Sequence, residues 1–301
     1  MSNLTYVVIT PARNEADSIE RTLQSMTAQT VAPLRWVVVS DASTDGTDDL
    51  VRGYAERFDW IRLLRLEGEA NRNFGAKVRA FKAGYDLVKD LAFDVIANVD
   101  ADVSFEPDLF AFLLDRFAEA SDLGVAGVPM VERGHDAVND GLFNPEDVFG
   151  ACQLFRRQCY LDTGGYQAIP CGGIDFVAVR TARMRGWRTQ SFLEKRFHHH
   201  HVMGAAGTSV LGARYKYGLR DYYFGNDPLW QVFRTAYQFT RKPVGLGGLW
   251  LLAGYLSGVV KRLERPVSAE FIAFHRQDQR RRLWRVLRKL AGIRESEGKK
   301  A

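Results

Sequence analysis

Asp100 and Asp102, in the run Asp100-Ala101-Asp102, follow the apolar stretch Val95–Val99. Two carboxylates at i and i+2 at a strand end can share one divalent cation, magnesium or manganese. Such a cation neutralises a departing diphosphate. The same spacing also serves turns and caps. Asp41 closes a second apolar run, Trp36–Ser40, within Ser40-Asp41-Ala42-Ser43-Thr44-Asp45-Gly46-Thr47. A carboxylate placed there can accept hydrogen bonds from a base N–H or a ribose hydroxyl. Ser43, Asp45 and Gly46 read as turn formers, so Asp45 and Thr44 are assigned to structure. There is no Walker A loop and no G-x-G-x-x-G, so side chains and metal, rather than a glycine loop, would hold phosphates.

The elements that must carry these groups alternate. Strands are expected at Tyr6–Thr10, Trp36–Ser40, Ile61–Leu66, Val95–Asp100 and Val125–Pro129. Helices are expected after an N-cap at Asp17 or Ser18, from Asp48 to Phe58, from Phe74 to Leu91, and from Pro107 in the first turn. This order predicts an α/β domain with a mostly parallel twisted sheet flanked by helices. Ligands of such sheets bind beyond the carboxyl ends of the strands, where Pro11 to Glu15, Asp41 and Asp100 to Asp102 would meet. Gly134 to Asp147 reads as a loop. Next come a strand at Ala151–Phe155, a helix from near Asp175 to Met184, and a strand at Trp187–Phe192 leading into His198 to His201.

The ordered set Pro11-Ala12-Arg13-Asn14-Glu15, the Asp41 run, Arg72-Asn73-Phe74-Gly75 and Asp100-Ala101-Asp102 resembles the family 2 glycosyltransferases of GT-A fold. Gly164-Gly165-Tyr166 and Arg185-Gly186-Trp187 extend the resemblance to roughly residues 4–200. It implies inverting, nucleotide-sugar-dependent transfer. By position, Pro11, Ala12 and Glu15 would line a nucleotide pocket, and Asp41 would bind the base. Lys77 or Arg72 would lie near the diphosphate. Asp100 would touch ribose or sugar, and Asp102 would bind the metal. An inverting transferase needs a base to deprotonate the acceptor hydroxyl. Asp175 is the candidate: it follows Gly172-Gly173, and where the family often carries Glu-Asp this chain has Ile174-Asp175. Asp175 also suits a helix N-cap. Neutral imidazole is a good metal ligand, which makes His200 or His201 the candidate third donor.

Composition bounds the rest. The 301 residues are 46% hydrophobic and 26% charged, enough for one large domain and an appendage. Cys152, Cys159 and Cys171 form no C-x-x-C pair, which argues against a disulfide framework and for a reducing, cytoplasmic compartment. The N-terminus enters a strand pattern at once, without the basic and long apolar regions of a secretory signal. Residues 1–205 are assigned to the catalytic domain and 206–301 to a helical, aromatic, basic region. Lys261–Ala301 alone carries 13 Lys/Arg against 5 Asp/Glu, a net of +8 within a chain of net +5. With the basic charge so confined and no reader motif, no nucleic-acid partner is expected. Pro243–Val260 holds no charge and is flanked by basic pairs, which favours a membrane-facing or re-entrant segment over a buried core helix and leaves both a spanning and an interfacial helix open. Gln279-Arg280-Arg281-Arg282-Leu283-Trp284 misses the Gln-x-x-Arg-Trp motif of processive family members by one residue. The expected partners are a nucleotide-sugar donor, a lipid-linked or glycan acceptor, and the cytoplasmic membrane surface. The rival readings are a nucleotidyltransferase and a non-catalytic membrane-surface protein.

Overall fold

The computed structural model describes residues 2–67, 74–139, 143–170, 172–200 and 209–290. The chain divides into two compact units, Met1–Met203 and Gly204–Ala301.

The first unit runs β1 (Tyr6–Ala12), α1 (Ile19–Thr27), β2 (Arg35–Asp41), α2 (Thr47–Ala55), β3 (Ile61–Leu66), α3 (Phe74–Asp86), β4 (Val95–Val99) and β5 (Val103–Phe105). It continues with α4 (Leu109–Glu119), β6 (Leu123–Gly127), β7 (Met130–Glu132), β8 (His135–Asp136), β9 (Cys152–Arg156), α5 (Arg157–Thr163), α6 (Ile174–Met184), β10 (Arg188–Ser191) and β11 (Phe197–His199). Seven strands form one sheet in the order β10-β6-β9-β4-β1-β2-β3. Its pairs are parallel except at β9, which runs antiparallel to both β4 and β6.

The apolar strands are continuous because both sheet faces are covered. Tyr6, Val8, Trp36 and Val38 face one buried cluster with Leu23 of α1 and Leu113 of α4. Val7, Ile9, Val37 and Val39 face the other, with Phe81 of α3 and Ala178 of α6. Each fully buried Leu or Phe contributes roughly 1.5–3 kcal/mol, so the two layers fix the strand ends firmly. The chain leaves β1 toward β2 and β3, then returns to its other side as β4. The crevice beyond the carboxyl ends therefore opens at this reversal.

Three local expectations change. The helix expected to reach Leu91 stops at Asp86, because Leu87, Val88 and Leu91 donate to carbonyls three residues back, in tight turns. Pro107 does not open α4. Its carbonyl accepts from Thr30 N–H at 2.8 Å, and the helix starts at Leu109. The expected loop Gly134–Asp147 contributes β8 to a second sheet, ordered β5-β11-β7-β8.

The described residues of the second unit form α7 (Val210–Tyr223), α8 (Pro228–Phe239), α9 (Leu246–Val260) and α10 (Ala269–Leu290). α7 and α9 touch backbone to backbone. A Cβ on Gly218 would overlap the carbonyl oxygen of Leu251, and one on Gly254 that of Tyr215. Backbone cannot yield as a flexible side chain can. Gly254→Ala is therefore expected to destabilise this unit by at least about 1–3 kcal/mol, read as a lower denaturant midpoint. Gly247, Gly248, Gly254 and Gly258 of the uncharged run thus serve helix packing. Among the described residues no helix is long and apolar enough to cross a membrane, which removes the spanning alternative for residues 243–260. Gln279, the near-miss motif residue, is buried. It donates to Asn226 Oδ1 at 2.9 Å and accepts from Asp227 N–H at 2.7 Å, so it braces α10 against the α7–α8 turn.

Candidate functional site

The carboxyl ends of β1, β2 and β4 gather the polar residues. At β1, Pro11 is half-buried, whereas the Ala12 methyl packs into the core. Arg13 N–H donates to Asp41 Oδ2 at 3.1 Å, so the expected base-binding carboxylate already holds a guanidinium. The β1 and β2 loops are laced together. Asn14 N–H donates to Ser43 Oγ at 3.1 Å and Thr44 N–H to Asn14 Oδ1 at 2.8 Å. Glu15 N–H reaches Thr47 Oγ1 at 2.9 Å, and Glu15 Oε2 accepts from Ser18 Oγ at 3.0 Å. Asn14 (φ 55) and Ala42 (φ 52) both sit in the left-handed region, which non-glycine residues reach at a cost of about 1–3 kcal/mol. The lacing holds that strain.

Asp100 lies just past β4. Lys77 of α3 donates to both its oxygens, at 2.6 and 2.9 Å, and Asn98 Nδ2 donates at 3.0 Å. Desolvation works against the Lys77 ammonium, but Asp100 outweighs it, helped by Asp175 and Asp102. The Lys77 pKa therefore stands above the ordinary lysine value, and the group stays cationic at neutral pH.

Asp175 arrives through the antiparallel strand. β9 pairs with β4 so that Cys152 lies opposite Val99, which puts Gly150 beside the β4 terminus. Asn98 Nδ2 donates to the Gly150 carbonyl at 2.5 Å, and Asp100 N–H to that of Ala151 at 2.9 Å. A Cβ on Gly150 would sit 2.5 Å from Asp175 Cβ and 2.8 Å from its Oδ2. Glycine at 150 is thus required by space. Asp175 is not the N-cap: that position is Gly173, at φ 90, and Asp175 lies in the first turn. Gly150→Ala is expected to push Asp175 aside and lower kcat at least about tenfold, with thermal midpoint checked alongside, since overpacking also costs about 1–3 kcal/mol.

His198 and His199 lie in β11, which pairs with β5 so that His199 faces Val103. This brings His199 Nε2 to 3.2 Å from Asp102 Oδ2, with Nδ1 3.8 Å from Glu132 Oε1. His200 Nε2 lies instead 2.9 Å from Ser104 Oγ. An imidazole that the fold carries to Asp102 is thus that of His199, one residue before the sequence candidate. Arg72 and His201 lie outside the described residues.

Among the described residues no group of three or more His, Cys, Asp or Glu side chains closes on one metal position. Asp102 and His199 converge as one carboxylate and one imidazole. That donor set suits a cation completed by substrate phosphates and water, as magnesium commonly is, rather than an all-protein cage.

A parallel sheet with one inserted antiparallel strand, ending in a carboxylate- and lysine-lined crevice, defines a GT-A-like fold. Residues 7–163, just over half of the chain, match the model of Glycosyl transferase family 2. The chain belongs to that family. It is 31% identical over 119 residues to the uncharacterized glycosyltransferase YibD of Escherichia coli, covering 40% of this chain and 32% of that protein. It is 32% identical over 114 residues to the putative teichuronic acid biosynthesis glycosyltransferase TuaG of Bacillus subtilis, covering 38% and 42%. These matches thus span less than half the length of either relative. In fold it is similar to a Pyrobaculum calidifontis mannosyltransferase solved with GDP-Man and Mn2+, at TM-score 0.57 and 19% identity over 97% of this chain and 84% of that one. It is also similar to residues 1–349 of S. aureus TarS solved with UDP-GlcNAc, at TM-score 0.55 and 15% identity over 90% and 79%.

His199, Gly150, Asn98 and Arg13 were not singled out as site residues from sequence. For His199 the signal was strand alternation: Phe197 is apolar and fully buried, so His199, two residues on, shares its face.

Proposed function

We propose that this protein transfers a sugar from a nucleotide-diphosphate donor to a hydroxyl of a lipid-linked or polysaccharide acceptor, with inversion, at the cytoplasmic face of a membrane. The observation that carries the reading is the set of carboxylates at the end of β4: Asp100 held by Lys77, Asp175 packed against Gly150, and Asp102 beside His199. Asp175 removes the proton of the acceptor hydroxyl as that oxygen attacks the anomeric carbon. Asp41 and Arg13 offer one acceptor and one donor to the base. Lys77 keeps positive charge beside the diphosphate, and Asp100, held by Lys77 and Asn98, faces the ribose or sugar. Asp102 and His199 would hold a magnesium or manganese ion, which supplies charge neutralisation to the leaving diphosphate. The relatives' names and the ligands of the structural neighbours support a nucleotide-sugar donor and a cell-envelope glycan as acceptor.

The test is a donor screen with Mg2+ or Mn2+, read as release of nucleoside diphosphate, with the anomeric configuration of the product assigned by NMR. Pyrophosphate release from a nucleoside triphosphate would instead identify a nucleotidyltransferase. Turnover of neither class of substrate would favour a non-catalytic surface protein.

A further inference from the structure

We propose that the outward faces of α8 and α9 form a lipid-docking surface that seats the unit Gly204–Ala301 on an anionic bilayer, with α9 lying in the plane of the interface. This rests on the membrane-surface part of the function proposed above, and not on the transfer reaction.

α8 is inverted relative to a helix of a water-soluble protein. Its buried positions are the polar Gln231 and Thr235, at 2% and 6% exposure, while Leu229 and Val232 stand 65% and 68% exposed. The inward face meets a polar interior. Gln231 Oε1 accepts from Asn226 Nδ2 at 3.1 Å, and Asn226 in turn accepts from Gln279. α9 is divided by the same logic without any charged residue to mark it. Gly247, Leu251, Gly254 and Gly258 are buried at helical spacing, Leu249 and Leu256 are exposed on the opposite side, and Leu246 and Trp250 are exposed on the flank between them. α8 and α9 pack against one another. Among the described residues, ten of the 17 exposed large apolar side chains fall between Leu229 and Val260. The first unit, with twice the residues, exposes only four, so the concentration is local rather than the usual scatter of apolar surface.

Charge selects the occupant. From Pro228 to Leu263 the chain has five Lys or Arg and no Asp or Glu. Arg234 is paired with Asp221 at 2.9 Å, leaving the exposed pairs Arg241-Lys242 before α9 and Lys261-Arg262 after it. A second copy would set these cations against themselves. An anionic phospholipid surface matches both the apolar stripe and the basic ends. The 15 residues of α9 extend about 22 Å, short of the roughly 30 Å hydrocarbon core, so the helix lies along the bilayer.

The test is sedimentation of the full-length protein with vesicles of phosphatidylcholine alone or containing phosphatidylserine, with no nucleotide sugar present. Binding is expected to be at least about tenfold tighter to the phosphatidylserine vesicles and to weaken with salt. Leu249→Glu combined with Leu256→Glu should weaken it about a hundredfold or more, circular dichroism confirming that these exposed changes leave the fold intact. Brominated lipid should quench tryptophan emission, less so in Trp250→Phe. The proposal is overturned by absence of vesicle binding in the native protein or by unchanged binding of the double variant. A concentration-dependent dimer that the same double variant abolishes would overturn it in favour of a second copy. A protein that binds vesicles yet turns over no nucleotide sugar sinks the transfer reading alone. A working transferase indifferent to vesicles sinks this one alone.

Discussion

Asp175→Asn is expected to reduce acceptor-dependent turnover by about 10³-fold, within the range spanned by positioned general bases, while KM for the donor changes little. Asparagine keeps the shape that Gly150 accommodates, so the effect isolates proton acceptance from packing. The carboxylate stands among charges that define its task. Lys77 feels Asp175 as well as Asp100 and Asp102. Asp100, engaged by Lys77 and Asn98, is committed elsewhere. Initial rates of nucleoside diphosphate release with and without acceptor provide the measurement. Slow hydrolysis of the donor should survive, since the substitution leaves in place the groups that stabilise the leaving diphosphate. A variant within tenfold of native turnover would remove Asp175 from the role of base.

Asp102→Asn should abolish metal-dependent turnover, with apparent affinity for Mn2+ in the presence of nucleotide lowered by about a hundredfold or more. Loss of groups that merely orient a metal ligand already costs about 10–100-fold. Calorimetric titration of Mn2+ into the protein with nucleoside diphosphate reads this without relying on catalysis. The two histidines give the contrast. His199→Gln should weaken the metal about 10–100-fold, because Nε2 sits beside Asp102. His200→Gln should leave it within a few-fold, because that ring's Nε2 is on Ser104. Equal effects of both would argue against the two-donor arrangement.

The two predictions differ in how far their residues could be found beforehand. Asp41, Asp100 and Asp102 close apolar strands that must lie inside a sheet, and parallel topology carries all such ends to one edge. That they lie at one edge of the sheet was therefore legible. Asp175 was proposed by resemblance, but its place beside Gly150 was not legible. That place is set by an antiparallel pairing, β9 on β4, between segments about fifty residues apart, and no local pattern encodes such a register. His199 was missed for a related cause. A run of identical residues offers no periodicity of its own, and only the pairing of β11 with β5 tells which imidazole turns to Asp102. In the second unit the uncharged run was visible, but its division into a glycine face and an apolar outward face depends on α7 lying against it. The inversion of α8 was equally hidden, since an amphipathic pattern says that a helix has two faces and not which one turns inward.

The placement of β9 has a consequence for how such a protein can diversify. Every residue proposed to hold the donor lies before residue 103, except for His199, and the proposed base lies after Gly150. The two halves of the reaction are carried by separate stretches of chain and joined through one strand ladder. On the proposed reading, mutations in the stretch that carries the base would alter which hydroxyl is glycosylated while the earlier loops continued to read the same activated sugar. Lineages built on this plan can thus change acceptors without relearning donors, provided that the small residue at position 150 is kept.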